Sequence, residues 1–369
     1  MEFLEMIKND ILLSGYYGFK NTGDEAILSS ILDALKKIEP ELKIKILSVN
    51  PSLTEKEHNT PSVHRYRKEM FQALLESRML ISGGGGLLQD STSIRSPLYY
   101  LAMVLLAKLT GKKVMFYAQG IGPLKTFIGR LLTSCIANMV DFITVRDEKS
   151  AQILKDLGVS KPTVEITTDP VFAMEPASEH DILNVFTVEN IPFEGNRWIG
   201  LSVRDWNSSV DYLNIISRVI DKMAEKFFLK VLLIPMHYPD DLVVSRKIKN
   251  IMKSSVYIVS CEYSPRILMG ILGKMNILIA MRLHAVIMSS VMGVPSLPLA
   301  YDPKIANISE QLGLKYLSLE EINEDNLNNM AENILEEHGQ ISLDLLEKTK
   351  SLKVKALRNA EIVKELLMR

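Results

Sequence analysis

Short apolar runs alternate with amphipathic stretches along most of this 369-residue chain, and that rhythm confines it to an α/β architecture. In the first half, residues 11–14, 43–49, 78–82, 113–118, 141–145 and 164–167 are short, apolar and rich in β-branched or aromatic side chains, as buried strands are. Between them, residues 24–37, 97–109, 126–139 and 148–157 carry helical periodicity. Pro176, Pro192 and Gly195 break the rhythm across residues 170–196, which read as the inter-domain region. A second alternation follows, with strands expected at 198–203, 230–235, 256–259, 276–280 and 296–299. Helices are expected at 210–226, 241–252, 264–272, 284–292 and 304–312, then two charged amphipathic helices at 319–337 and 342–368. The length is too great for one ordinary core. The expectation is two Rossmann-like domains facing a central cleft, residues 1–180 and 190–340, followed by a C-terminal helix at 341–369.

Charge narrows the function classes. Forty-three Lys and Arg against 44 Asp and Glu leave no field to gather nucleic acid, so any anion site must be local. Residues 1–10 have no long apolar core of a signal peptide, and no run approaches a membrane span, so a cytoplasmic location is expected. Cys135 and Cys261 read as reduced core fillers rather than a disulfide or zinc site. The six histidines show no paired ligand spacing, so no metal is expected. No G-x-S-x-G elbow and no Walker or dinucleotide glycine pattern occurs. Nothing in the sequence signals oligomeric state.

The candidate functional residues fall where strands end, the edge at which α/β proteins bind ligands. After the first strand, Gly15 to Leu28 forms a loop with Tyr17 and Phe19, then a helix opened by Asp24 and Glu25. Gly84, Gly85 and Gln119 follow apolar strands; such glycines let a backbone approach a ligand, or let it reverse tightly. Arg146 ends a strand beside Asp147 and Glu148, which suits either an anion or a local ion pair. Arg204 and His237 end strands of the second half. Arg282 and His284 stand at a helix start, where cations are repelled unless an anion is present. A satisfied core histidine beside a buried arginine is the alternative. Lys304 follows one strand later.

Gly15 to Leu28 closely resembles the opening motif of the bacterial polysaccharide pyruvyl transferases, particularly the cell-wall CsaB type. The resemblance continues through Ser82 to Asp90, Gln119-Gly120-Ile121-Gly122-Pro123, Val145-Arg146-Asp147, Thr168-Asp169-Pro170, Met281-Arg282-Leu283-His284-Ala285 and Tyr301-Asp302-Pro303-Lys304. It implies a GT-B-like layout and transfer of pyruvate from phosphoenolpyruvate, as co-substrate without further cofactor, onto a lipid-linked, N-acetylmannosamine-containing saccharide as a cyclic ketal. It assigns Arg146, His284 and Lys304 to the donor pocket with Arg282 adjacent. Ketal formation needs a proton on the methylene carbon, a transfer that suits His284, and binding phosphate without proton transfer is the alternative role of that residue. Tyr17, Phe19 and Asp24 fall on the acceptor side. Lys20 departs from the family, where glycine is expected, and adds a charge beside the acceptor loop. A nucleotide-sugar glycosyltransferase and a non-catalytic anion- or sugar-binding protein are the alternatives. A lipid-linked acceptor also suggests peripheral membrane contact, through Lys108, Lys112, Lys113, Lys125 and Arg130 near apolar helices.

Overall fold

The computed structural model describes residues 7–90 and 93–369. Two compact units emerge: residues up to Met174 together with Leu352–Arg369, and Glu175–Ser351.

In the first unit β1 (Asn9–Ser14), β2 (Ile44–Ser48), β3 (Ser62–His64), β4 (Ser77–Ser82), β5 (Gly85–Leu88), β6 (Lys113–Ile121), β7 (Phe142–Val145) and β8 (Thr163–Ile166) form one parallel sheet. Its order is β3-β2-β1-β4-β6-β7-β8, with β5 paired to β6. Leu12 of β1 stands opposite Leu80 of β4, which stands opposite Val114 of β6, and all three are fully buried. Helices cover both faces, so the central strands read as continuous apolar runs; each such side chain contributes about 1.5–3 kcal/mol by leaving water. The helix Thr22–Ile38 begins where Asn21 accepts a hydrogen bond from the Gly23 N–H. Asp24 and Glu25 sit in its first turn and Lys36 and Lys37 in its last, each matching the helix dipole.

The second unit holds β9 (Arg197–Ser202), β10 (Leu229–Leu233), β11 (Val256–Ile258), β12 (Ile277–Ala280), β13 (Ser296–Ala300) and β14 (Leu317–Ser318). All are parallel, in the order β11-β10-β9-β12-β13-β14, the doubly wound arrangement with its strand-order reversal between β9 and β12.

Several expectations are corrected. The stretch 170–196, read as the inter-domain region, is structured: a short 3-10 turn, Pro170–Ala173, is followed by the helix Glu179–Val188, capped by Ser178 and burying Ile182, Val185 and Phe186. The C-terminal helix expected at 341–369 runs His338–Met368, and it starts in the second unit and finishes in the first. There the fully buried Asn359 accepts from the Thr167 hydroxyl at 3.0 Å, and Arg358 pairs with Glu165 at 3.2 Å. Cys135 and Cys261 are exposed rather than core-filling. The helix Phe127–Ala137 buries Gly129, Thr133, Ile136 and Ala137, which turns Cys135 outward. Three of the lysines expected to face lipid are engaged by protein: Lys108 with Asp141, Lys112 with the Leu75 carbonyl and Lys113 with the Leu366 carbonyl. Among the described residues no helix is long and apolar enough to cross a membrane.

Candidate functional site

At the carboxyl edge of the first sheet, the strand-order reversal lies between β1 and β4, the crevice where doubly wound folds take ligands. Here it is filled by Tyr17. The ring is 1% exposed and lies so close to Gly15 that a Cβ there would sit 2.2 Å from it. A Cβ on Gly83 would fall 2.0 Å from the phenol oxygen. The two glycines are therefore spaces cut for this side chain. Burial first, then Asp24, pushes the phenol well above its ordinary pKa, so it stays neutral. Tyr17, expected on the acceptor side, is thus turned into the unit, its ring held against Gly15 and Gly83.

Tyr16 takes the outward role, which sequence reasoning missed. It is half-buried and stacks on Phe19, centroids 3.8 Å apart and planes within 6°. Gly18, at φ +80°, makes the reversal between them and donates to the Glu25 carboxylate at 2.8 Å. Beneath lies Arg65, 3% exposed, donating to the Gly15 carbonyl at 2.9 Å. Its guanidinium is 4.1 Å from the Tyr99 ring centre, 5.1 Å from Tyr66 and 5.6 Å from Phe19. Arg65 follows a three-residue strand too short to read from sequence, so nothing announced it. Asp24 stands in the helix's first turn, its Oδ1 3.3 Å from where a Gly85 Cβ would lie, and Gly84 packs against Ile27 and Pro170.

Gln119 is fully buried and donates through its amide to the carbonyls of Ser82 and Gly83, so it ties β6 to β4 rather than lining a ligand site. Arg146 is 8% exposed and pairs with Asp169 at 3.3 Å, with Asp147 at 3.6 Å. Its charge is balanced locally. Gly120 leaves room for that guanidinium, since a Cβ would come within 2.7 Å of Nε. Glu25, Glu57 and His58 offer ligand atoms within 4.8 Å of one another, but the Glu25 oxygens are already used by the Gly18 N–H and by His58.

The carboxyl edge of the second sheet gathers the other cations. Arg204 follows β9, His237 follows β10, Arg282 and His284 follow β12, and Lys304 follows β13. Arg282 closes its fork on Asp241, with Nε at 2.9 Å and Nη2 on the other oxygen. Asp241 is 1% exposed and also accepts the N–H groups of Met236 and His237. Through this pair Arg282, expected beside the donor pocket, locks the turn after β12 to the turn after β10. The helix Leu283–Val291 then starts with no side-chain cap, and His284 is its second residue, with Nε2 shielded from solvent. The adjacent strand β13 delivers the helix Pro303–Leu312, whose cap Asp302 accepts the Lys304 N–H at 2.9 Å. The two helices pack together, so the uncapped amides, His284 and Lys304 share one edge of the unit.

His237 is weakly tied to Asp240 at 3.5 Å. Arg204 donates to the Tyr301 hydroxyl at 2.8 Å and lies over the Tyr301 and Trp206 rings at 5.0 and 5.4 Å, against a cavity of about 460 Å³ lined by Trp206, Tyr301, Asp302, Tyr316 and Glu320. The arrangement suits binding a small, dense anion at a partly buried helix start that lacks a side-chain cap, with an imidazole beside it for proton transfer.

Solved structures share this architecture. UDP-GlcNAc 2-epimerase of Neisseria meningitidis, bound to UDP-GlcNAc, superposes with TM-score 0.66 at 13% identity, covering 97% of this chain and 99% of that one. HepE of Anabaena in complex with UDP gives 0.65 at 10% identity over 97% and 99%. The S. aureus MnaA–UDP structure gives 0.64 at 11% identity over 92% and 91%. These likenesses are of fold: two parallel-sheet domains of the GT-B type. In sequence, the amylovoran biosynthesis protein AmsJ of Erwinia amylovora is 22% identical over 365 residues, covering 82% of this chain and 86% of that protein. The polysaccharide pyruvyl transferase family model matches residues 21–303, which takes in every strand-end motif from Asp24 to Asp302. The chain therefore belongs to the polysaccharide pyruvyl transferase family.

Proposed function

We propose that the donor of this pyruvyl transferase is phosphoenolpyruvate and that the acceptor is a sugar of a lipid-linked cell-wall precursor, N-acetylmannosamine as in the CsaB type. The observation that carries the donor reading is the helix start at Leu283, left without a side-chain cap and flanked by His284 and Lys304. Helix-start amides and a lysine suit a ligand with carboxylate and phosphate on three carbons. Tyr16 and Phe19 offer apolar ring faces to the acceptor.

His284 gives a proton to the methylene carbon, which becomes the methyl group, and the central carbon takes cationic character. One sugar hydroxyl adds there and loses its proton. The bond from the central carbon to the bridging oxygen then breaks, and inorganic phosphate leaves with that oxygen and the bonding electron pair. A second hydroxyl then closes the ketal, its proton passing to solvent. Proton transfer of this kind contributes about 10²–10⁴-fold. No cofactor beyond the co-substrate enters this scheme.

Turnover in deuterated water tests it. Phosphoenolpyruvate and an N-acetylmannosaminyl acceptor should yield inorganic phosphate and a ketal with one deuterium in its methyl group. His284→Gln should lose kcat while thermal shift with phosphoenolpyruvate persists. Phosphate release that instead requires a UDP-sugar, or a His284→Gln enzyme with unaltered kcat, overturns the reading.

A further inference from the structure

Between Asp90 and Asp141 the sequence contains no Asp or Glu at all, yet it contains Arg95, Lys108, Lys112, Lys113, Lys125 and Arg130. The helix Phe127–Ala137 lies in this acid-free stretch. It turns apolar side chains outward: Phe127 is 77% exposed, Ile128 56% and Leu131 50%. Spacings of three and four put these on one helical face. Single exposed apolar residues are ordinary, but a clustered stripe marks a surface meant to be covered. Lys125 and Arg130 stand exposed beside it, and neither forms an ion pair among the described residues. The opposite face is fixed to the unit by Gly129, Thr133, Ile136 and Ala137 and by packing against the helix Arg95–Leu109. The stripe is thus presented by an anchored helix.

The geometry points to this helix as an in-plane docking element for an anionic lipid bilayer. Its aromatic and branched side chains enter the acyl boundary while Lys125 and Arg130 meet the headgroups. Apolar residues on one face with exposed basic residues beside them is the pattern of interfacial helices. An anionic surface is favoured over a second copy of the chain because two copies of this patch would bring the exposed Lys125 and Arg130 together, while the neighbouring Asp90 carboxylate is buried and engaged by the Lys125 and Thr126 N–H groups. The assignment rests on the lipid-linked acceptor of the proposed function, since a membrane-held substrate is reached from the bilayer surface.

Vesicle co-sedimentation of the full chain, without phosphoenolpyruvate or acceptor, tests the assignment independently of catalysis. Equimolar phosphatidylglycerol–phosphatidylcholine vesicles should retain the protein at low salt, and pure phosphatidylcholine vesicles should retain much less. Lys125→Glu with Arg130→Glu should weaken partitioning by about fivefold or more per residue. Phe127→Asp with Leu131→Asp should abolish it while far-ultraviolet circular dichroism stays native. Wild-type protein that stays in the supernatant with anionic vesicles overturns the assignment. So does binding unchanged in the folded Phe127→Asp/Leu131→Asp variant, or a dimer in sedimentation velocity that this variant dissolves. Phosphate release from a water-soluble acceptor reads the transfer reaction separately, so loss of one result leaves the other standing.

Discussion

Lys20 sits at φ +62° in the left-handed region, a conformation that costs a non-glycine residue about 1–2 kcal/mol. The departure from the family's expected glycine is thus a backbone cost carried at an exposed position. Lys20→Gly should raise stability by about 1 kcal/mol in denaturant unfolding, less whatever glycine loses in chain entropy. Asp241 is the opposite case: it serves three partners from inside the second unit. Asp241→Ala should destabilise by about 3–5 kcal/mol, because it strands the Arg282 guanidinium and two backbone N–H groups. Asp241→Asn, which keeps shape and loses charge, should cost less, and paired urea titrations would rank them. Strand-end residues were legible because apolar runs end visibly; partners were not. Arg282 and Asp241 lie 41 positions apart, and Arg146 and Asp169 lie 23 apart, so no local pattern links them. Nor does sequence say which of Tyr16 and Tyr17 turns inward, since that depends on the space left by Gly15 and Gly83.

Elements with long apolar runs were read to within a few residues, among them β1, β4, β9 and β12, because burial on both faces leaves only one pattern. The strands β3, β5 and β14 were missed. Their two to four residues carry too little periodicity, and β5 begins inside a glycine run that reads as a turn. Asp90, which follows β5, holds the start of the helix Phe127–Ala137: it accepts the Lys125 N–H at 2.6 Å, the Thr126 N–H at 2.8 Å and the Thr126 hydroxyl. Burial works against ionisation there, but these donors outweigh it and hold the carboxyl below its ordinary range. A pKa lowered by folding stabilises fully above the unfolded value of about 3.9 and is lost as pH falls through the lower folded value. Asp90→Asn should therefore lose about 1.5–3 kcal/mol at neutral pH and show a shallower loss below about pH 4. Thermal melts across that range would read both. Gly120→Ala, pressed against the Arg146 guanidinium, should cost about 1–3 kcal/mol in urea unfolding.

At the scale of the whole molecule, the two-sheet organisation was legible from the double alternation, but the return of the tail was not. Its amphipathic pattern declares a helix without declaring which core it serves. Both tryptophans, Trp198 and Trp206, lie in the second unit, so their emission reports that unit alone. A chain ending at Ser351 should keep native tryptophan emission while amide exchange rises across the first sheet, which loses Asn359, Arg358 and the carbonyls that hold Arg78 and Lys113. Equal disruption of both units would contradict that division. The same helix gives the chain an order of events on the ribosome. The first unit receives its closing segment only after the entire second unit has been synthesised. At roughly 5–20 residues per second, the intervening residues, Glu175–Ser351, take on the order of ten to thirty seconds to emerge. Throughout that interval the groove formed by Leu35, Ile38, Leu42 and Arg78, later lined by Ala360 and Leu367, stands open. The nascent protein thus carries an unfinished hydrophobic seam that its own last residues must reach before a chaperone or another chain does.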